Sequence, residues 1–234
     1  MADREGALEE EGNCADEESE ILDLEGQGLT SIHLPGNVQP KTLILDNNDL
    51  TKLDGLNVCP DLCQLSAVNN HIVHMTGLHL LNCLTVLSLS NNSIGVIEGI
   101  EGLAQLTWLD LSSNSIKVME NLPKGGQLHY LDLSDNDITH ISDLSTLNNL
   151  KTLLLHSNNI SSLKTVPACL PQSIGVLSLA DNSIYDLNEI SYLSSLPSLQ
   201  QLSISENPCV LEPSNSRYPF MSSGSREACS SVNF

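Results

Sequence analysis

Basic residues are scarce. The chain has nine lysines and arginines against 29 aspartates and glutamates, a formal net charge of −20 over 234 residues. None lies between Lys52 and Lys117, or between Lys164 and Arg217. A chain without clustered cations cannot neutralise a row of phosphates, which argues against nucleic acid as a ligand. An anionic membrane surface would repel it as well, whereas a basic protein surface suits it. Aromatic residues make up 3% of the chain and include one tryptophan, so the core must be aliphatic. No uninterrupted apolar run approaches the length of a membrane span. The opening MADREGALEEEGNCADEESE carries nine acidic residues and no apolar run, unlike a secretory signal. Seven cysteines, odd in number and irregularly spaced, argue against a disulfide framework. A soluble chain in the reducing cytoplasm is expected.

What the sequence has in abundance is one phrase. LILDNNDL begins at Leu43, LSAVNNHI at Leu65, LSLSNNSI at Leu87, LDLSSNSI at Leu109 and LDLSDNDI at Leu131. LLLHSNNI at Leu153, LSLADNSI at Leu177 and LSISENPC at Leu202 follow, and a degenerate copy, LDLEGQGL at Leu22, has Gln27 in place of the asparagine. From Asn48 through Asn70, Asn92, Asn114 and Asn136 to Asn158 the step is 22 residues; it lengthens to 24 at Asn182 and 25 at Asn207. The pattern L-x-L-x-x-N-x-I at this period marks a leucine-rich repeat.

Each fixed letter has a physical reason. Leucines two apart point to one face of a short strand. No coil can bury that face alone, so coils must stack and the strands pair into a parallel sheet. Past the strand the chain turns sharply. An asparagine side chain, with one acceptor and two donors, can satisfy the backbone groups freed there. Asn48, Asn70, Asn92, Asn114, Asn136, Asn158, Asn182 and Asn207 should therefore form a ladder inside the coils. On the outer side, apolar residues recur every three positions, as at Ile138, Ile141, Leu144, Leu147 and Leu150. That period suits 3₁₀-like turns better than an α-helix. Extra residues in LNEISYLSSLPSLQQL leave room for a longer helical segment.

The expected fold is an α/β leucine-rich repeat solenoid, a right-handed superhelix with a concave parallel sheet and short 3₁₀ or helical turns on its convex side. Residues 1–20 read as an acidic disordered tail, 21–210 as a solenoid of about nine repeats, and 211–234 as an irregular segment. Either that last segment folds back through Tyr218 and Phe220 as a cap, or the chain is a truncated form.

The stretches LTWLDLSSNSIKVME, LKTLLLHSNNISSL, ACLPQSIGVLSLADNSIYDLNEISYLSSL and LQQLSISENPCV resemble an intracellular leucine-rich repeat family of the centrosome. That family lies within the short-repeat class best known from the type-1 phosphatase regulator. The 24- and 25-residue spacings belong to the match, which covers about Leu22 to Val210. The resemblance implies a centriolar scaffold that binds a coiled-coil partner, caps centrioles and restrains cilium assembly. Family members continue into a cap and a calmodulin-binding IQ region. Here SRYPF echoes the cap's start, and no IQ-like basic segment follows.

In a stacked solenoid, residues one repeat apart become spatial neighbours. One outward column reads Thr42, Gln64, Val86, Trp108, Tyr130, Thr152, Val176, Gln201. The next reads Ile44, Ser66, Ser88, Asp110, Asp132, Leu154, Ser178, Ser203. The third reads Asp46, Val68, Ser90, Ser112, Ser134, His156, Ala180, Ser205. Trp108 beside Tyr130 is the sharpest feature, because binding hot spots favour these residues. With Asp110, Asp132, Asp135, Leu154 and His156 they define the expected partner site, suited to a basic or helical segment. Ser134, His156 and Asp132 lie close together, but an open arc has no oxyanion element or closed pocket, so an enzyme is not expected. Cys59 and Cys63, with His71 and His74, do not have a recognised zinc spacing, and no metal or cofactor is expected. A protein-binding scaffold is the first reading, and a regulatory subunit of type-1 protein phosphatase the alternative.

Overall fold

In the computed structural model the described residues are 20–35, 38–124, 126–211 and 232–233. The acidic opening and the segment with Tyr218 and Phe220 lie outside them. Nine three-residue strands follow the repeat: β1 (Ile21–Asp23), β2 (Thr42–Ile44), β3 (Gln64–Ser66), β4 (Val86–Ser88), β5 (Trp108–Asp110), β6 (Tyr130–Asp132), β7 (Thr152–Leu154), β8 (Val176–Ser178) and β9 (Gln201–Ser203). They form one sheet in sequence order, each parallel to the next. A last strand, β10 (Val232–Asn233), pairs antiparallel with β9.

Register follows the leucines. Leu43, Leu65, Leu87, Leu109, Leu131, Leu153, Leu177 and Leu202 stand opposite one another across successive strands. All are buried, in one aliphatic core that runs the length of the array. A one-residue slip would turn every one of these leucines to solvent, so the register is tightly specified. At each strand entry one carbonyl accepts two N–H groups of the next coil. The Thr85 carbonyl, for example, takes the N–H groups of Thr107 and Trp108 at 2.9 and 3.1 Å.

Among the described residues the convex side is mostly hydrogen-bonded turns, with helix in four places. These are the 3₁₀ segments Leu56–Val58 and Leu187–Ser195 and the single α-turns α1 (Val166–Cys169) and α2 (Pro208–Leu211). Apart from the first 3₁₀ turn, helix among the described residues appears only from the lengthened repeats onward. A 22-residue coil is used up by its strand and turns, and added residues provide the slack for helical winding. The nine-residue 3₁₀ segment sits in LNEISYLSSLPSLQQL, with Asp186 capping it by accepting from the Asn188 N–H.

Candidate functional site

Behind the sheet face the ladder asparagines have nearly constant hydrogen-bond geometry. Asn136 Nδ2 donates to the carbonyls of Leu111, Leu133 and Ser134 at 3.0, 3.2 and 3.0 Å. Its Oδ1 accepts from the Ile116 N–H at 2.9 Å. Asn70, Asn92, Asn114, Asn158, Asn182 and Asn207 likewise donate to carbonyls of their own and the preceding coil and accept one N–H from the preceding coil. Asn48 does the same toward the degenerate first copy, accepting from Leu29 and donating to Leu24. Asn92 and Asn114 are half-buried; the other six are buried.

Next to this ladder stands a column that sequence reasoning missed. Asn47, Asn69, Asn91, Ser113, Asp135, Ser157, Asp181 and Glu206 all take the left-handed conformation, with φ between 52 and 57°. The N–H of each, up to Asp181, reaches the next coil; that of Asn69, for example, donates to the Ser90 carbonyl at 3.1 Å. Non-glycine residues tolerate this region poorly, and short polar side chains do best there. Asp135, expected at the partner site, belongs to this column. It lies at the margin of the sheet, and its carboxylate accepts from the Ser113 hydroxyl at 2.9 Å.

On the open face, Trp108 and Tyr130 stand in register on β5 and β6. Their rings stack with centroids 3.6 Å apart and planes 6° from parallel. Parallel strands lie about 4.8 Å apart and hold side chains upright, so flat rings at matched positions can close face to face. Trp108 is 43% exposed, an unusual state for a large aromatic that core packing does not use.

The carboxylates beside the stack are tethered. Asp132 Oδ1 accepts the Ser134 N–H and hydroxyl at 2.9 and 2.6 Å, and Oδ2 accepts the Tyr130 hydroxyl at 3.2 Å. Asp110 Oδ1 accepts the N–H and hydroxyl of Ser112 at 3.0 and 2.7 Å, and Oδ2 accepts the Ser88 hydroxyl at 3.2 Å. Burial, then the charge and hydrogen bond of Asp132 and the charge of Asp110, push the Tyr130 phenol up to about 12. Leu154, half-buried, stands opposite Asp132 on β7, and His156 follows two residues on. The lysine ion pairs among the described residues, at Lys41, Lys52 and Lys164, all involve positions outside the three outward columns.

The Ser134 hydroxyl donates to Asp132, and so is not set up as a nucleophile activated by His156. Cys59 is a buried core residue whose thiol is pushed up by burial. His71 and His74 lie against Asp49 and Glu98 at 3.6 and 3.1 Å. Among the described residues, no three His, Cys, Asp or Glu side chains are gathered so as to hold a metal, and no helix is long and apolar enough to cross a membrane.

Stacked parallel strands, a buried asparagine ladder and an open sheet face define a class, and family models agree. Two leucine-rich repeat models match residues 64–116 and 107–220. The chain belongs to the leucine-rich repeat proteins. Within that class it is similar to centrosomal protein of 97 kDa. Identity is 68% over 203 residues to the Mus musculus protein and 71% over 200 residues to that of Xenopus laevis. These alignments cover 86% and 85% of this chain but 24% and 25% of the relatives. The chain thus spans about a quarter of the length of the curated relatives it matches. Among solved structures, an internalin of Listeria monocytogenes is 25% identical with a TM-score of 0.61, covering 73% of this chain and 49% of that one. Internalin C2 of the same organism is 29% identical with a TM-score of 0.61, covering 72% of each chain.

Proposed function

We propose that this chain is the leucine-rich repeat part of a centrosomal scaffold, that it works by binding protein and not by catalysis, and that its partner docks on the sheet face around Trp108 and Tyr130. The observation that carries the docking site is the exposed ring stack on a face with no function in the core. Asp110, Asp132, Leu154 and His156 surround it, with Asp135 at the margin. Similarity to centrosomal relatives over most of this chain supports a place in the cytoplasm at the centrosome and centriole. The partner is a centriolar coiled-coil protein, and the complex caps centrioles and restrains cilium assembly.

Co-precipitation with the full chain and with the Trp108→Ala/Tyr130→Ala variant tests the site. The coiled-coil partner is expected with the parent and should drop at least about tenfold with the variant, as loss of hot-spot residues implies. Equal capture by both chains would refute the docking site. Recovery of type-1 phosphatase without the coiled-coil protein would favour the regulatory-subunit alternative. Quantifying cilia in cells that overproduce each chain tests the restraining role: fewer cilia are expected with the parent alone.

A further inference from the structure

The chemistry of the docking face narrows what its partner must present. We propose that Trp108, Tyr130, Asp110 and Asp132 form a seat for an arginine side chain of the partner protein and discriminate against lysine. The assignment rests on the docking site proposed above and adds the identity of the group that enters it.

Three features lead there. The three outward columns carry Asp46, Asp110 and Asp132 but no lysine or arginine, so the chain's own side chains on that face leave this negative charge uncompensated. A partner that covers it must bring cations or leave carboxylates desolvated without a counter-charge, which strongly disfavours binding. Asp110 and Asp132 then stand directly opposite each other on adjacent strands. At a strand spacing of about 4.8 Å, the forked donors of one planar guanidinium can address both carboxylates, whereas an ammonium is a compact point charge. The third feature is the apolar surface beside them: the rims of the stacked rings, 43% exposed at Trp108, with half-buried Leu154 opposite Asp132. Guanidinium is weakly hydrated, and its methylene stem can lie on apolar neighbours such as Leu154 and the rims of the rings. An ammonium keeps its water more tightly and gains less.

The carboxylates are also held ready. Bonds from Ser112, Ser134, Ser88 and Tyr130 fix their orientation before anything binds, so little ordering remains for the moment of association. The face accordingly suits an arginine-bearing segment of a protein and repels nucleic acid and acidic lipid.

The chain contains a reporter for the test. Trp108 is its only tryptophan, so tryptophan emission, excited to the red of tyrosine absorption, reads the seat alone. Three capped Gly-Ser peptides, identical except for two central arginines, lysines or citrullines, would be titrated into the full chain. The arginine peptide should change Trp108 emission with a half-point at least about threefold lower than the lysine peptide, and the citrulline peptide should have no effect. In Asp110→Asn, Asp132→Asn and the double variant, each checked for an unchanged far-ultraviolet spectrum, the preference for arginine should shrink and then vanish. Equal half-points for arginine and lysine would overturn the proposal by reducing the effect to net charge. A preference that survives in the double variant, or no response to any peptide, would overturn it too. If partner capture depends on Trp108 and Tyr130 while the two peptides titrate alike, only the arginine assignment fails. If capture ignores those residues, the docking site itself fails.

Discussion

Asn136 makes four hydrogen bonds to backbone groups of two coils. Replacing it with alanine leaves the buried Ile116 N–H without its partner and removes one of two donors from each of the Leu111, Leu133 and Ser134 carbonyls. Asn136→Ala should lower unfolding free energy by roughly 1–3 kcal/mol, measured by urea denaturation followed by far-ultraviolet dichroism. At Tyr130 the sign runs with alkali. Its folded value of about 12 lies above the ordinary phenol value of 10.0, so the folded state holds the proton more tightly. The stability this contributes is fully present below pH about 10 and is lost as pH rises toward about 12. Absorbance at alkaline pH should show a phenol step near pH about 12 that is lost in Tyr130→Phe. Asp132→Asn should bring that step down without restoring the ordinary value, because burial is the largest cause. The pairing of Trp108 with Tyr130 could be read from 22-residue arithmetic alone, since register turns sequence distance into contact. The left-handed column could not be read that way. Asparagine, serine, aspartate and glutamate all occur in it, so no single letter marks the backbone angle. Buried Glu189 was also missed: it accepts from the Leu163 N–H and the Ser162 hydroxyl at 2.7 and 3.0 Å, tying one coil to the one before. A glutamate among polar turn residues looks like surface until packing places it.

Among the elements, the strands were the most predictable part of the chain, because L-x-L alternation admits one buried face. The convex turns were less so. Period three announced tight turns, yet whether a turn becomes α, as at Val166–Cys169, or 3₁₀, as at Leu187–Ser195, depends on local slack that periodicity does not carry. One turn requirement is steric. Gly77 has φ +96°, and a Cβ there would sit 2.5 Å from the Leu53 carbonyl oxygen of the coil below. Gly55 is in the same position against Ile32, again at 2.5 Å. Two coils beyond Gly77 the column holds Asn121 at φ 57°, whose amide donates to the Ile97 carbonyl at 2.9 Å. Gly77→Ala should therefore cost more than about 1 kcal/mol, seen as a lower urea midpoint. An equal midpoint would mean that the two coils separate there without penalty.

Over the whole molecule, an excess of 20 negative charges opposes compaction. Salt screens such repulsion over about 8–10 Å near physiological strength. Raising sodium chloride from about 10 mM to about 150 mM should increase the melting temperature, read by scanning calorimetry. A fall would mean that the few ion pairs matter more than self-repulsion.

The position of Trp108 on β5, the fifth of nine parallel strands, has a consequence for any unfolding curve. In a one-dimensional array the terminal coils can fray while the middle holds. Fluorescence would be blind to that peeling and would record the last survivor, with a midpoint above the dichroism midpoint, and the gap between the two curves would gauge how independently the ends melt.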